Sequence, residues 1–297
     1  MGETIRADAA LLAAVEAGDG ATLHTEAGAV VSWPALHLLA VHGFRWAPSD
    51  PGDADSGPSG TRLHVELTIE HAAHAGLVLA ATPARFIERS LGTELAFSLA
   101  EGSSRLAPDR LTAMAERRSP RDATFVVTGA GSRALGGVLT VQRGPRSVLE
   151  SLRCMVALPG MTDDLRAVRD ALEAGLQSVM LGRHPRSAQF STSRGRVDGV
   201  VDTAIAGPPA PLGVFSGTRE TRARGLAVAA ASLGGHTVGP GPSRGVVFWF
   251  DGTEQARWSG AAALASGLRD LQAGAMHSGD LRRRAEVRHD GTRTGGQ

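Results

Sequence analysis

The sequence predicts an α/β fold with a mixed, partly antiparallel sheet and flanking helices. Residues 62–70 (RLHVELTIE) alternate apolar and polar side chains, which is the pattern of a strand with one buried face. Three strand-like runs follow one another closely between 123 and 158, and their short glycine-rich links favour antiparallel hairpins. Over 212–250 a strand, a helix and a strand alternate, which predicts one parallel βαβ unit.

Composition divides the chain into four parts. Residues 1–47 are expected to form a small N-terminal segment with short apolar runs. Residues 48–60 (PSDPGDADSGPSG) are dominated by Pro, Gly, Ser and Asp, which is typical of a flexible linker or loop. Residues 61–275 make up the main α/β domain, and the polar residues 276–297 are predicted to be a disordered tail.

The first half of the main domain contains two predicted helices after the opening strand. One lies within 72–91, where Pro83 should break or kink it, and the other spans 108–118 with Pro108 in its first turn. The three closely spaced strands are predicted over 123–128, 138–142 and 148–158.

A helix capped by Thr162 is predicted next, and it should end near Gly175. A strand is expected over 176–181. Residues 182–211 then form a long polar stretch rich in Pro and Gly, with one short strand expected over 199–205.

The C-terminal third begins with a short strand over 212–215. The Ala-, Leu- and Val-rich run 219–233 predicts a helix, which Gly234 should stop. The unbroken apolar run 245–250 (GVVFWF) is typical of a strand buried on both faces. A last helix is predicted over 254–272.

Amino-acid usage excludes several kinds of chemistry. The chain contains no lysine, asparagine or tyrosine but has 31 arginines, which indicates a very high-GC genome. No lysine is present for a Schiff base or a P-loop, and no Tyr/Lys pair for a short-chain dehydrogenase. Cys154 is the only cysteine, so no disulfide can form within the chain, and a cytoplasmic location is expected. The net charge of +1 gives no reason to expect nucleic acid, and no apolar run is long enough to predict a membrane span.

The glycine-rich segment 124–137 (TFVVTGAGSRALGG) looks like the turn that binds a pyrophosphate in dinucleotide-binding folds. Its glycines are spaced GxGxxxxG, and a strand follows where that motif requires a helix N-terminus. We therefore predict a hairpin loop. Gly129 and Gly131 are the candidates for cofactor binding if one is bound, although we expect no cofactor.

Residues 241–245 form the pentapeptide GxSxG, which makes Ser243 a candidate nucleophile. In α/β-hydrolases this motif lies between a strand and the helix that follows it, so that the serine stands above the sheet. Here the strand follows the motif and a proline precedes the serine. The alternative interpretation is a simple turn that leads into a central strand.

Three histidines cluster with two glutamates around the first strand. If a helix begins after Glu70, His71 and His74 share one helical face, and two imidazoles with a carboxylate can bind zinc or iron. His64, His71, His74 and Glu70 are therefore candidate metal ligands. Strand alternation alternatively places His64 and Glu66 on the polar face, where we expect them to be solvated.

Arginines are also concentrated at the start of the predicted helix over 219–233. Arg219, Arg222 and Arg224 oppose the helix dipole there, which indicates an anionic partner. The alternative is that codon bias supplies arginine wherever a solvated charge is needed, and Glu220 lies among them.

Residues 63–160 resemble an actinobacterial family of unknown function that is found beside type VII secretion genes. The resemblance is carried by the strand LHVELTIEH with the helix after it, by LTAMAERRSPRDATFVVTG, and by the paired strands GGVLTVQRG and VLESLRCMVALP. It implies an intracellular accessory protein and provides no catalytic residues to carry over.

The sequence therefore favours a non-enzymatic accessory or scaffold protein of a high-GC actinobacterium, associated with secretion and acting through protein partners. Two alternatives remain open. One is a serine or metal-dependent hydrolase that uses Ser243 or the His71/His74 region, and the other is a small-ligand or nucleotide-binding protein.

Overall fold

A computed structural model describes most of the chain between residues 59 and 271. The described ranges are 59–74, 76–99, 105–130, 133–158, 165–180, 185–196 and 209–271, with the short strands Leu23–His24, Val30–Val31, Arg45–Trp46 and Val200–Val201. The predictions for residues 48–58, the tail after 271, Thr162 and Gly131 lie outside these residues, as does most of the N-terminal segment.

Nine strands form one sheet in which every neighbouring pair is antiparallel. In chain order they are β1 (Ser59–Ala72), β2 (Glu94–Ser98), β3 (Ala123–Ala130), β4 (Leu135–Arg143), β5 (Ser147–Leu158), β6 (Pro185–Arg196), β7 (Ala210–Ser216), β8 (Gly235–Val238) and β9 (Gly245–Trp249). Their order across the sheet is β8-β9-β7-β6-β1-β5-β4-β3-β2, so the long strand β1 lies at the centre.

Helices flank this sheet. They are α1 (Ala81–Leu91), α2 (Pro108–Arg118), α3 (Leu165–Met180), α4 (Thr218–Ala223), α5 (Leu226–Ala229) and α6, which spans 254–271. Single 3-10 turns occur at Ala231–Leu233 and Gly241–Ser243. The predicted α/β class with flanking helices is confirmed.

One face of the sheet carries the main hydrophobic core. Leu63, Val65, Leu67 and Ile69 alternate along β1 and are all buried in this core, which also includes apolar side chains of α1 and α3. Packing of such alternating side chains against helices is what the sequence pattern of β1 predicts. The two helices approach closely at Gly175.

The β9 end of the sheet is covered on both faces, as the run GVVFW predicts. Val247 belongs to the main core, whereas Val246 and Phe248 pack in a second cluster with Leu226 of α5 and Leu264 of α6. A strand without polar positions is stable here because neither of its faces meets water.

The predicted parallel βαβ unit is wrong, since β7 and β9 are antiparallel. After α5 the chain forms β8 at the sheet edge, and β9 returns from it as a hairpin that inserts between β8 and β7. The predicted helix over 219–233 is also interrupted, because Gly225 adopts φ 64° and separates α4 from α5.

Three other boundaries differ from the sequence prediction. The strand expected over 176–181 is wrong, because α3 continues through Gly175 to Met180. Its glycine marks the close contact with α1 and is not a helix stop. The polar stretch 182–211 contains β6, a central strand on which Ala188, Phe190 and Thr192 alternate into the core face. The first helix starts only at Ala81, so its proline lies in the first turn and causes no break.

Candidate functional site

An open groove of about 760 Å³ lies at one end of the strands. The end of β1 borders it, together with the starts of β5 and β6. Helix α4 forms one wall, and the turn that contains Ser243 forms another. A groove of this volume is in the range of ligand-binding sites in proteins.

The groove is elongated and runs across the ends of the strands. Its lining reaches from Pro242 and Ser243, just before β9, to Arg146 and Ser147 at the start of β5. These strands are four steps apart in the sheet. At about 4.8 Å per step, the two ends of the groove are separated by roughly 19 Å.

Four of the described arginines line the groove, and two of them are paired with glutamates. Arg219 Nη1 lies 3.1 Å from both carboxylate oxygens of Glu70 on β1, the strand next to β5. Arg186 Nε lies 3.3 Å from Glu220 Oε1. These carboxylates neutralise Arg186 and Arg219.

The other two arginines have no carboxylate partner among the described residues. Arg222 Nη2 donates only to the carbonyl oxygen of Pro242, at 3.5 Å, and so lies near the β9 end. Arg146 is exposed in the β4–β5 turn, at the opposite end. As far as the structure describes the chain, the groove therefore carries positive charge without a carboxylate partner at both of its ends.

A buried histidine–glutamate pair lies at the floor of the groove. His71 Nε2 is 2.5 Å from Glu150 Oε2, and the two residues are 6% and 0% exposed. The other carboxylate oxygen accepts a hydrogen bond from the backbone N–H of Ala80, which precedes α1 and has φ 66°. Glu150 thus connects the groove floor to the start of α1.

The residues predicted as metal ligands are separated from one another. Because β1 continues to Ala72, His71 and His74 do not share a helical turn. Glu70 pairs with Arg219 on the groove side, and His71 bonds Glu150. Within the described ranges no three His, Cys, Asp or Glu side chains come together in an arrangement that could hold a metal ion.

The expectation that His64 is solvated is wrong. It is buried, and its Nε2 lies 2.8 Å from the Ser193 hydroxyl on the neighbouring strand β6. Burial, together with the nearby positive charge of Arg62, lowers the pKa of His64 to about 4. Glu66, two residues further on the same face, is exposed as expected.

Ser243 lies in the 3-10 turn that leads into β9, which is the simple-turn interpretation of its pentapeptide. No helix follows it, so the strand–turn–helix geometry of a hydrolase nucleophile is not formed. In the part of the chain that the structure describes, its hydroxyl makes no hydrogen bond to a histidine. Ser243 and His71 nevertheless line the same groove.

Gly129 lies within the β3–β4 hairpin, which confirms the predicted antiparallel pair. A Cβ atom there would lie 2.8 Å from Leu135 Cβ and 2.9 Å from Thr93 Cγ2. The glycine is required by packing between strands, and no helix begins after it to bind a phosphate.

Two residues of the site escaped the sequence analysis, namely Arg146 and Glu150. Glu150 had a readable signal, because it occupies an even position of β5 among Val148, Leu152 and Cys154, all of which are buried. A lone carboxylate in such a series must face the core. Arg146 had no such signal in the sequence, since arginines are common in the turns of an arginine-rich chain.

A protein-family model matches the part of the chain that forms the groove. The family model described as DUF6177, C-terminal domain, matches residues 62–270, well over half of the chain. The chain belongs to the DUF6177 family. This family has no established function, and no curated protein matches the chain. The DUF6177 match runs from β1 into α6, so it contains all four groove arginines and the His71–Glu150 pair. Among the described helices of this DUF6177 protein, none is long and apolar enough to cross a membrane.

Proposed function

We propose that this DUF6177 protein is a non-enzymatic accessory protein that binds an anionic group of a partner in the arginine-lined groove. The observation that carries the proposal is the pair Arg146 and Arg222, which line the groove without a carboxylate partner among the described residues. The proposed setting is the cytoplasm of a high-GC actinobacterium, in association with type VII secretion. Amino-acid usage and the resemblance of residues 63–160 support that setting.

Arginine suits this role because of its shape. The planar guanidinium presents several N–H donors in a fixed arrangement that matches a carboxylate or a phosphate. Ala72, Pro185 and Ala223 add small apolar surfaces to the groove. A ligand with both anionic and apolar parts would therefore find complementary contacts along the groove.

The groove floor supports a binding role because it is fixed by buried contacts. His71 and Glu150 are held by each other, and Ala80 ties the same carboxylate to α1. A site that is ordered before its ligand arrives loses less conformational entropy on binding.

The test is affinity purification of the tagged protein from its own host, with mass spectrometry of what is recovered. The wild-type chain is compared with the double variant Arg146→Gln/Arg222→Gln, and Arg110→Gln on α2 serves as the matched control. We expect a stoichiometric partner that the double variant loses and the control retains. Equal recovery by all three proteins, or no partner at all, would contradict the proposal.

A hydrolase is the second candidate, because Ser243 and His71 line one groove and Glu150 contacts the histidine from behind. A serine, a histidine and a carboxylate are the groups of a serine hydrolase. Turnover of a p-nitrophenyl ester that Ser243→Ala abolishes, in a variant with unchanged thermal unfolding, would support this candidate. Equal rates for the two proteins would reject it.

A further inference from the structure

We infer that the anionic partner is an extended acidic peptide segment whose carboxylates lie at both ends of the groove. This inference rests on the proposed function and specifies its partner. It follows from how charge is distributed along the groove, from the apolar part of its lining, and from its dimensions.

Charge along the groove favours a ligand with separated negative groups. Arg222 and Arg146 provide positive charge at the two ends, without a carboxylate partner in the described part of the chain. Between them, on the strand next to β5, Glu70 already occupies Arg219 and would repel a second anion there. A compact dianion would meet one arginine at one end, whereas a ligand with two spaced carboxylates would meet both.

The dimensions fit one extended chain. The roughly 19 Å between the ends correspond to about six residues at about 3.3 Å each. A volume of about 760 Å³ over this length leaves a cross-section of about 40 Å². An extended strand occupies about 48 Å² in a packed sheet, from its spacings of about 4.8 and 10 Å. The two areas are comparable, so the groove matches one chain and is too narrow for two.

The groove also has an apolar part of its lining. Pro185 at the start of β6 lies between the charged ends, whereas Ala72 pairs with Ser147 beside Arg146 and Ala223 follows Arg222. The neighbouring His71 is buried and bonded to Glu150. Acidic residues at the ends and small apolar residues between them complement this lining.

The experiment measures fluorescence anisotropy of labelled peptides with the full chain. The peptide Asp-Pro-Val-Pro-Val-Asp keeps its two carboxylates apart because prolines hold it in an extended helix. Asp-Asp-Pro-Val-Pro-Val has the same composition with both charges at one end. We expect the spaced peptide to bind at least about fivefold more tightly than the clustered one.

Arginine variants test which side chains contact the peptide. Arg146→Gln and Arg222→Gln should each weaken binding of the spaced peptide by about three- to tenfold, while Arg110→Gln leaves it unchanged. All three arginines are exposed, so the variants should fold normally, and thermal unfolding checks this. Only loss at both groove positions supports a ligand that spans the groove.

Competition with pyrophosphate separates this inference from the proposed function. If both peptides bind equally and pyrophosphate displaces them, the ligand is a compact anion, and the inference about an extended segment is overturned while the proposed function stands. If neither the peptides nor pyrophosphate bind the wild-type chain, the proposed function itself is refuted.

Discussion

Replacing Glu150 by alanine removes the carboxylate that holds the groove floor and the start of α1 together. Glu150 is completely buried and accepts hydrogen bonds from His71 Nε2 and from the backbone N–H of Ala80. In the alanine variant both donors stay inside the protein without a partner. Each unsatisfied buried donor costs about 1–3 kcal/mol.

The expected loss of stability for the two donors together is therefore about 2–6 kcal/mol. Glu150→Gln keeps one acceptor oxygen and nearly the same volume, so it should cost about 1–2 kcal/mol. Glu66→Ala is the matched control on the neighbouring strand. Glu66 is exposed, and its carboxylate makes a single long contact of 3.9 Å with Arg153 Nε. Its loss should therefore cost less than about 1 kcal/mol.

Urea unfolding followed by circular dichroism measures these differences. An unchanged dependence on urea concentration would show that the variants unfold from the same compact state. If Glu150→Ala unfolds within about 1 kcal/mol of the wild type, the carboxylate does not hold the floor, and the argument for a preformed groove fails.

Three further predictions concern packing, charge and pH. Gly175→Ala should destabilise the protein by about 1–3 kcal/mol in urea unfolding, because the new methyl group would overlap the Ser90 hydroxyl where α3 crosses α1. Glu70→Gln should tighten binding of the spaced peptide about two- to fivefold, since it frees Arg219, and anisotropy measures this. The pKa of His64 is about 4 in the folded chain and 6.5 in the unfolded chain. The contribution of the neutral, buried His64 to stability is therefore complete above pH 6.5 and is lost as the pH falls towards 4. His64→Gln should remove up to about 1.4 kcal/mol per pH unit of that dependence, measured by urea unfolding across this range.

Each of these three predictions has a control variant and an outcome that would contradict it. Gly144→Ala places a methyl group in ordinary contact, 3.5 Å from Ser147 O, so it should be nearly neutral, and equal effects of the two glycine changes would argue against the helix contact. Glu66→Gln controls for Glu70→Gln, and equal affinities would show that Glu70 does not compete with the ligand. An unchanged pH profile in His64→Gln would contradict the shifted histidine.

Regular elements with clear local patterns could be predicted from the sequence. The strand 62–70 is part of β1, and the helix over 108–118 has the predicted bounds. The central strand β6 was not predicted, because Phe190 is the one large apolar side chain among its alternating buried residues. Its stability comes from pairing with β1 and β7, which local sequence does not report.

The candidate site was predictable only in its parts. Arg219 and Arg222 stood out because they oppose a helix dipole, and Ser243 and His71 stood out through motifs. Their presence in one groove depends on the ends of β1, β5 and β6 meeting α4 and the turn before β9. Antiparallel pairing between residues far apart in the chain decides that arrangement, and no local pattern encodes it.

The most direct test of the central claim compares how salt affects binding of the spaced peptide to the wild-type chain and to Arg146→Gln/Arg222→Gln. Contacts between arginines and carboxylates at an open groove are screened by salt. The wild type should bind tightly at low salt and lose affinity as salt rises, whereas the double variant should bind weakly at all salt concentrations. Equal affinity and equal salt dependence for the two proteins would contradict the claim that this groove is an anion-binding site.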